Sequence, residues 1–421
     1  MTPAELRALG EAAGRAFTGL VGQVESVHEA VANRTPPVPV IAPAQRETAR
    51  AIYATVRTIG DTGLRVAGHA AALFAADDTA LRDQRFGATA IGALNGAFGD
   101  RFAPVDSALA VPMTLRHDAR DLPIDPESLR RAFPLASGRV AVLVHGLGMT
   151  DDAWTARDHR QTAYADVLRR ELGMAVLTVR YNSGRRIAAN GLELASLLER
   201  LSAAWPDGIR DLSLIGHSMG GLVCRSATHV AADSGHRWID ELDHVVLLGS
   251  PLLGASLERA AATAASLLDR LPESRFVGAL LNLRSDGVLD LRDGTLTDDH
   301  HPPRNDPWPW GERGAAVPLL PGVQHHVVAA TLAKNPEAWW AAKVLGDLLV
   351  TPSSASSAAR GVRRLLFAAD DVVTLGGLSH FDLLHHHEVA RHLRRWLRPR
   401  GALPAAGGTG DGWVPGTLDP G

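Results

Sequence analysis

The chain has 421 residues, of which 46% are hydrophobic and 21% charged, with a formal net charge of −3 at pH 7. That length and apolar content can sustain one large core with an appendage, or two domains, and the near balance of charge gives no electrostatic case for nucleic acid. Cys224 is the single cysteine, which excludes a disulfide framework and a cysteine-based zinc site.

The opening segment, MTPAELRALGEAAGRAF, carries Glu5 and Glu11 and lacks an apolar h-region, so it does not read as a signal peptide. No stretch approaches the roughly 18 uncharged apolar residues that a membrane-spanning helix needs. The expectation is a soluble, cytoplasmic protein with no transmembrane segment.

Residues 1–110 read as helical. Leu9, Ala13, Phe17, Leu20, Val24, Val27 and Val31 recur at spacings of three and four and draw one apolar stripe. RTPPVPVIAP (34–43) interrupts it as an extended connection. Ile52, Val56, Ile59, Gly63, Val66, Ala70 and Leu73 form a second stripe, and a third helix is expected within 86–99. We read this region as a helical domain that packs on the rest; a membrane-surface or partner-binding helix pair is the alternative, and the mixed charges of the first stripe weigh against the membrane version. Residues 111–135 are expected to be a linker.

From about residue 136 the pattern changes. The runs 139–146, 174–182, 212–218, 244–251, 325–332 and 363–370 are short and rich in β-formers, and helical stretches such as 158–172 and 190–204 lie between them. Nearly continuous apolar cores in four of the runs suit strands buried on both faces. The expected class is therefore α/β over residues 136–400, a mostly parallel sheet with helices on both faces. An insertion over 256–320 is too long for a simple crossover; it contains the apolar stretch 260–283, expected to act as a lid, and the turn-rich stretch 292–314. The Gly- and Pro-rich tail, 401–421, is expected to be disordered.

Gly216-His217-Ser218-Met219-Gly220 has the form G-x-S-x-G. Five residues alone carry little weight, but here a strand precedes the motif and a small-residue helix follows it. Such a corner lifts a serine hydroxyl above the sheet edge and aims a helix N-terminus at it. A serine hydroxyl needs a general base and donors for the tetrahedral oxyanion. The loop after the run 139–146 offers Leu147 N–H as one donor, and Met219 N–H is the second; His145 reads as structural. The base should come late in the chain, and His380 in GGLSHFDLL follows a flexible glycine pair near the same sheet edge. Asp347 is the expected acid that orients it, with Asp370 and Asp371 as alternatives; Asp382 reads as a cap or a loop hydrogen bond. His385, His386 and His387 open a helix, where adjacent histidines point to different sides, and the DDHH run (298–301) reads as an exposed turn. No metal and no cofactor are expected.

Four motifs thus stand in order: VHGLG, GHSMGG, LLGSPLLGA and GDLLV…GLSHFDLL. Together they resemble serine hydrolases of the α/β-hydrolase fold, in the lipase-like branch, and in particular bacterial esterases grouped with the GPI inositol-deacylase-like (PGAP-type) hydrolases. The third motif is similar to that branch's GTPHxG, with Ser250 and Leu252 in place of Thr and His. The fourth is similar to GDGLVP…GxxHxxLL, with Leu348 in place of Gly and Thr351 in place of Pro. The resemblance covers roughly 136–400 and places Ser218, Asp347 and His380 as nucleophile, acid and base. It implies a carboxylic ester hydrolase acting on a small-molecule or lipid-like ester through an acyl-enzyme. Acyl transfer or thioester cleavage on the same triad is the alternative chemistry, and a non-catalytic interaction scaffold is the alternative of another class.

Overall fold

The computed structural model describes residues 2–32, 42–73, 85–102, 108–134, 138–156, 158, 161–252, 285–297, 317–331, 367 and 369–399. Its centre is an eight-stranded sheet of order β2-β1-β4-β3-β5-β6-β7-β8. The strands are β1 Thr114–His117, β2 Arg120–Asp121, β3 Arg139–Val144, β4 Ala175–Arg180, β5 Asp211–His217, β6 Leu242–Leu248, β7 Gln324–Thr331 and β8 Val372–Gly376. β1 runs antiparallel to β2 and β4, and the remaining pairings are parallel.

Alternation along β3 explains why both faces are covered. Val140, Val142 and Val144 belong to one apolar cluster, with Leu194, Leu198, Leu222 and Val223. Ala141 and Leu143, pointing the other way, belong to a second cluster with Trp154, Tyr164, Leu168, Leu393 and Trp396. Helices α6 (Ile187–Ala204) and α7 (Met219–Ser234) therefore cover the first face. The short helix α5 (Tyr164–Asp166) and the last helix, α9 (His387–Trp396), cover the second. A continuous apolar run is what a strand between two such layers requires.

One expectation needs correction. Residues 111–135 are not a plain linker: they hold β1, β2 and helix α4 (Pro126–Ala132). The hairpin turn uses Asp118 and Ala119 at φ 47° and 62°, a geometry usually signalled by Asn-Gly or Asp-Gly, and Asp-Ala carries no such signal. The strand expected over 363–370 lies mostly outside the described residues; Ala369–Asp371 form a single tight turn, and the strand that follows it is Val372–Gly376. Its β-branched residues pair Val372 with Val327 and Val373 with Val328 at the sheet edge.

The N-terminal helices α1 (Pro3–Ala32), α2 (Ala42–Leu73) and α3 (Arg85–Phe98) form where their stripes predict. Ala12 of α1 shares an apolar cluster with Ile91 of α3 and with Phe102, Leu109 and Val111. Asn95 Nδ2 donates to the Leu109 carbonyl (2.7 Å), and its Oδ1 accepts from Val111 N–H (3.1 Å). Helix α3 also leans on the loops at the carboxyl ends of β3 and β4. A Cβ on Gly92 would stand 2.9 Å from the Met149 backbone, and Asn182 Nδ2 donates to the Gly99 carbonyl at 3.0 Å. Helix α8 (Asp286–Asp293) lies within the insertion; Ser285 Oγ donates to the Gly96 carbonyl of α3 (2.7 Å), and Asp290 accepts from Ile187 N–H at the start of α6 (2.8 Å). A carboxylate is favoured at that helix N-terminus.

A buried ion network fixes the loop after β3. Asp151 accepts from Arg116 Nε of β1 at 2.9 Å and from Arg180 Nε of β4. Arg116 Nη1 also donates to Asp121 of β2 at 2.6 Å. Asp151, Arg116 and Arg180 are all buried, so removing the shared carboxylate leaves two guanidiniums in a low-dielectric site without it. Asp151→Ala should lower unfolding stability by about 3–5 kcal/mol, read from urea denaturation; a change within the scatter of surface substitutions would contradict this account of the loop.

Candidate active site

Ser218 sits at the turn between β5 and α7. Its amide donates to the Leu248 carbonyl at 2.8 Å, continuing the strand pairing, while its carbonyl accepts from Gly221 N–H at 3.1 Å and opens the helix. Strand becomes helix within one residue, and Ser218 takes φ 55° and ψ −124°, a region that residues with a Cβ rarely occupy. Close backbone approach makes this possible. A Cβ on Gly216 would lie 2.4 Å from Gly221 Cα, and one on Gly220 would lie 2.2 Å from the Val144 carbonyl oxygen. Both are impossible contacts, so these two positions admit no side chain.

The loop after β3 runs beside the serine. A Cβ on Gly146 would lie 3.1 Å from Ser218 Cβ, which brings the backbone of His145–Leu147 against Ser218. Gly148 N–H donates to Ser183 Oγ at 2.9 Å, and Tyr181 Oη donates to the His145 carbonyl at 2.8 Å. Leu147 is half-buried on this loop, and Met219 is the first residue of α7, wholly buried. His145 stacks on Tyr181 with ring centroids 4.3 Å apart, and burial pushes its pKa down to about 4. A neutral, enclosed imidazole of this kind matches the structural reading of His145.

His380 is buried in the turn between β8 and α9. A Cβ on Gly249 would stand 3.0 Å from His380 Cε1 and 3.1 Å from its Nδ1. Gly249 directly follows Leu248, the residue that Ser218 N–H bonds, so serine and histidine border the same end of β6. His217, adjacent to Ser218, bonds the His380 carbonyl through Nε2 at 3.1 Å, and the two rings lie 4.7 Å apart.

Asp347 lies outside the described residues. Asp371 is 2.8 Å from His326 Nδ1, and His326 Nε2 is 3.2 Å from His244 Nδ1. These residues lie at or near the amino ends of β6, β7 and β8, whereas Ser218 and His380 follow carboxyl ends, so Asp371 does not serve His380. Asp370 is exposed in the same turn. Asp382 accepts from Ser379 N–H at 2.8 Å and Ser379 Oγ at 2.7 Å, hydrogen bonds within its own loop. His386 caps α9 by accepting from Glu388 N–H at 3.3 Å. Among the described residues, no group of three or more His, Cys, Asp or Glu could hold a metal ion, and no helix is long and apolar enough to cross a membrane.

Residues 141–392 match the alpha/beta hydrolase family, which is more than half of the chain. The chain belongs to the alpha/beta hydrolase family. A search of curated proteins finds no match. Among solved structures the hydrolase is similar to the mature lipase BlEst2 of Bacillus licheniformis at 18% identity, covering 62% of this chain and 92% of that one with a TM-score of 0.40. It is also similar to the RedJ thioesterase of the prodiginine pathway of Streptomyces coelicolor, at 19% identity over 62% and 92% of the two chains with a TM-score of 0.38. A third is a thermophilic esterase from Thermogutta terrifontis, at 17% identity over 62% and 90% with a TM-score of 0.35.

Sequence reading passed over His217, Tyr181 and Ser183. His217 carried a signal, since it lies inside the motif itself; the other two follow β4 as YNS, and only the fold brings them to the loop after β3. The backbone strain at Ser218 has a measurable consequence in this hydrolase. Ser218→Gly should raise unfolding stability by about 1 kcal/mol, because glycine accepts a positive φ, while Ser218→Ala should not. Equal stabilities for the two variants in thermal or urea unfolding would show that the corner is unstrained.

Proposed function

We propose that this hydrolase cleaves carboxylic esters with Ser218 as nucleophile, His380 as general base and Asp347 as the acid that orients the imidazole. The observation that carries the reading is the strained corner at Ser218, which shares the end of β6 with His380. Asp371 is engaged by His326 at the other ends of the strands, which leaves Asp347 as the better acid. Motif order also favours Asp347, and with it the lipase-like, GPI inositol-deacylase-like branch.

In this mechanism Ser218 Oγ attacks the ester carbonyl carbon as its proton passes to His380. A C–O bond forms, and the carbonyl π pair moves to oxygen. The backbone amides of Leu147 and Met219 receive that oxyanion, with the N-terminus of α7 favouring the negative charge. The tetrahedral intermediate collapses, the bond to the alkoxy oxygen breaks, and His380 returns the proton to the leaving alcohol. Water, deprotonated by His380, then attacks the acyl-serine; the second tetrahedral intermediate collapses, the bond to Ser218 Oγ breaks, and His380 returns the proton to that oxygen as the acid leaves. The apolar stretch 260–283, which lies outside the described residues, would form a lid and acyl-binding wall, which suits an apolar substrate.

Ser218→Ala should reduce turnover of a short p-nitrophenyl ester by about 10⁴-fold or more with the far-UV spectrum unchanged. A series of p-nitrophenyl esters of increasing acyl length would show where kcat/KM peaks. Wild-type turnover in the alanine variant would overturn the nucleophile assignment.

A further inference from the structure

We propose that His217 is a positioning residue, whose Nε2–H donates to the His380 carbonyl and locks the base-bearing loop to the nucleophile's own strand. The inference rests on the reading of Ser218 and His380 as nucleophile and base. His217 is the last residue of β5, paired in register with Leu248 of β6, and it is fully buried. Its Nε2 lies 3.1 Å from the carbonyl oxygen of a residue 163 positions away.

A carbonyl only accepts, so Nε2 must carry the proton. Burial holds the ring in its neutral form, pushing its pKa well below the ordinary range, so Nδ1 is a bare lone pair. Among the described residues that Nδ1 has no hydrogen-bond partner. It faces Gly146, where a Cβ would come within 3.2 Å of it. The imidazole is therefore wedged between the loop proposed to stabilise the oxyanion and the loop proposed to carry the base. Trp154 closes on it edge-on, with centroids 6.5 Å apart. Gly249 abuts the His380 ring, so the base is held by a glycine contact at the ring and by His217 at the carbonyl.

A histidine that merely fills the core would contribute volume. A positioning histidine contributes a donor aimed at one carbonyl, and the two roles separate experimentally. His217→Phe keeps an aromatic ring and loses the donor, whereas His217→Gln keeps an N–H that can reach the carbonyl. The expected result is that His217→Phe lowers kcat on a p-nitrophenyl ester roughly 10–100-fold, as a misplaced general base does, with KM within about twofold. His217→Gln should recover most of the loss. In a His380→Ala background, His217→Phe should cost nothing further, because the two act through one group. Wild-type kcat in folded His217→Phe, or equal defects in the Phe and Gln variants, would overturn the proposal. If His217→Phe does not fold, ¹⁵N-histidine NMR of the wild-type enzyme decides: a protonated Nε2 on His217 supports the lock, and a protonated Nδ1 overturns it. Full turnover in His380→Ala alone would instead overturn the assignment of the base.

Discussion

The structure turns on one residue's backbone. Ser218 leaves β5 and enters α7 at a positive φ, a conformation that costs about 1–3 kcal/mol and persists only where its surroundings over-determine it. Its amide is fixed by β6, its carbonyl by the first turn of α7, and the two flanking glycines let the helix fold back over the strand ends. Every other feature of the candidate site is placed relative to that corner. Gly146 brings the loop after β3 against it, Leu248 and Gly249 bring β6 beside it, and the turn after β8 reaches it through His217.

That arrangement gives the parts outside the central sheet a mechanical role. The loop after β3 carries Asp151, which the buried arginines of β1 and β4 hold. Helix α3 presses on the same loop at Gly92 and holds the segment after β4 through Asn182. Helix α8, inside the insertion, bonds both α3 and the start of α6. Helices α3 and α8 thus brace the segments that follow β3 and β4, beside the corner where Ser218 stands. Their contribution is rigidity where a site needs it, because donors that must meet a developing charge act best when they are already in place.

Much of this was legible in the sequence, for physical reasons that differ by element. Strands β3 to β7 are buried on both faces, so each is written as an apolar run. Strand β8 is half-exposed at the sheet edge, and its short VVTLG run was passed over for the longer apolar stretch before it. The β1–β2 hairpin was hidden by a turn without glycine. Ser218 and His380 stood out because a strained corner needs glycines around it and because His380 follows a glycine pair. Asp371 looked eligible as the acid by position in the chain, but parallel register puts it at the wrong end of β8, a fact that no local pattern contains. The link between His217 and His380 was invisible for the same reason, since it depends on which strands become neighbours.

The central claim is that the corner exists to present Ser218 as a nucleophile. The most direct measurement is to treat the folded protein with a fluorophosphonate, digest it, and locate the adduct by mass spectrometry. The account predicts one phosphonylated residue, Ser218, at near-stoichiometric occupancy and absent after heat denaturation before labelling. An unlabelled Ser218 in well-folded protein, or an adduct on a different serine, would contradict it.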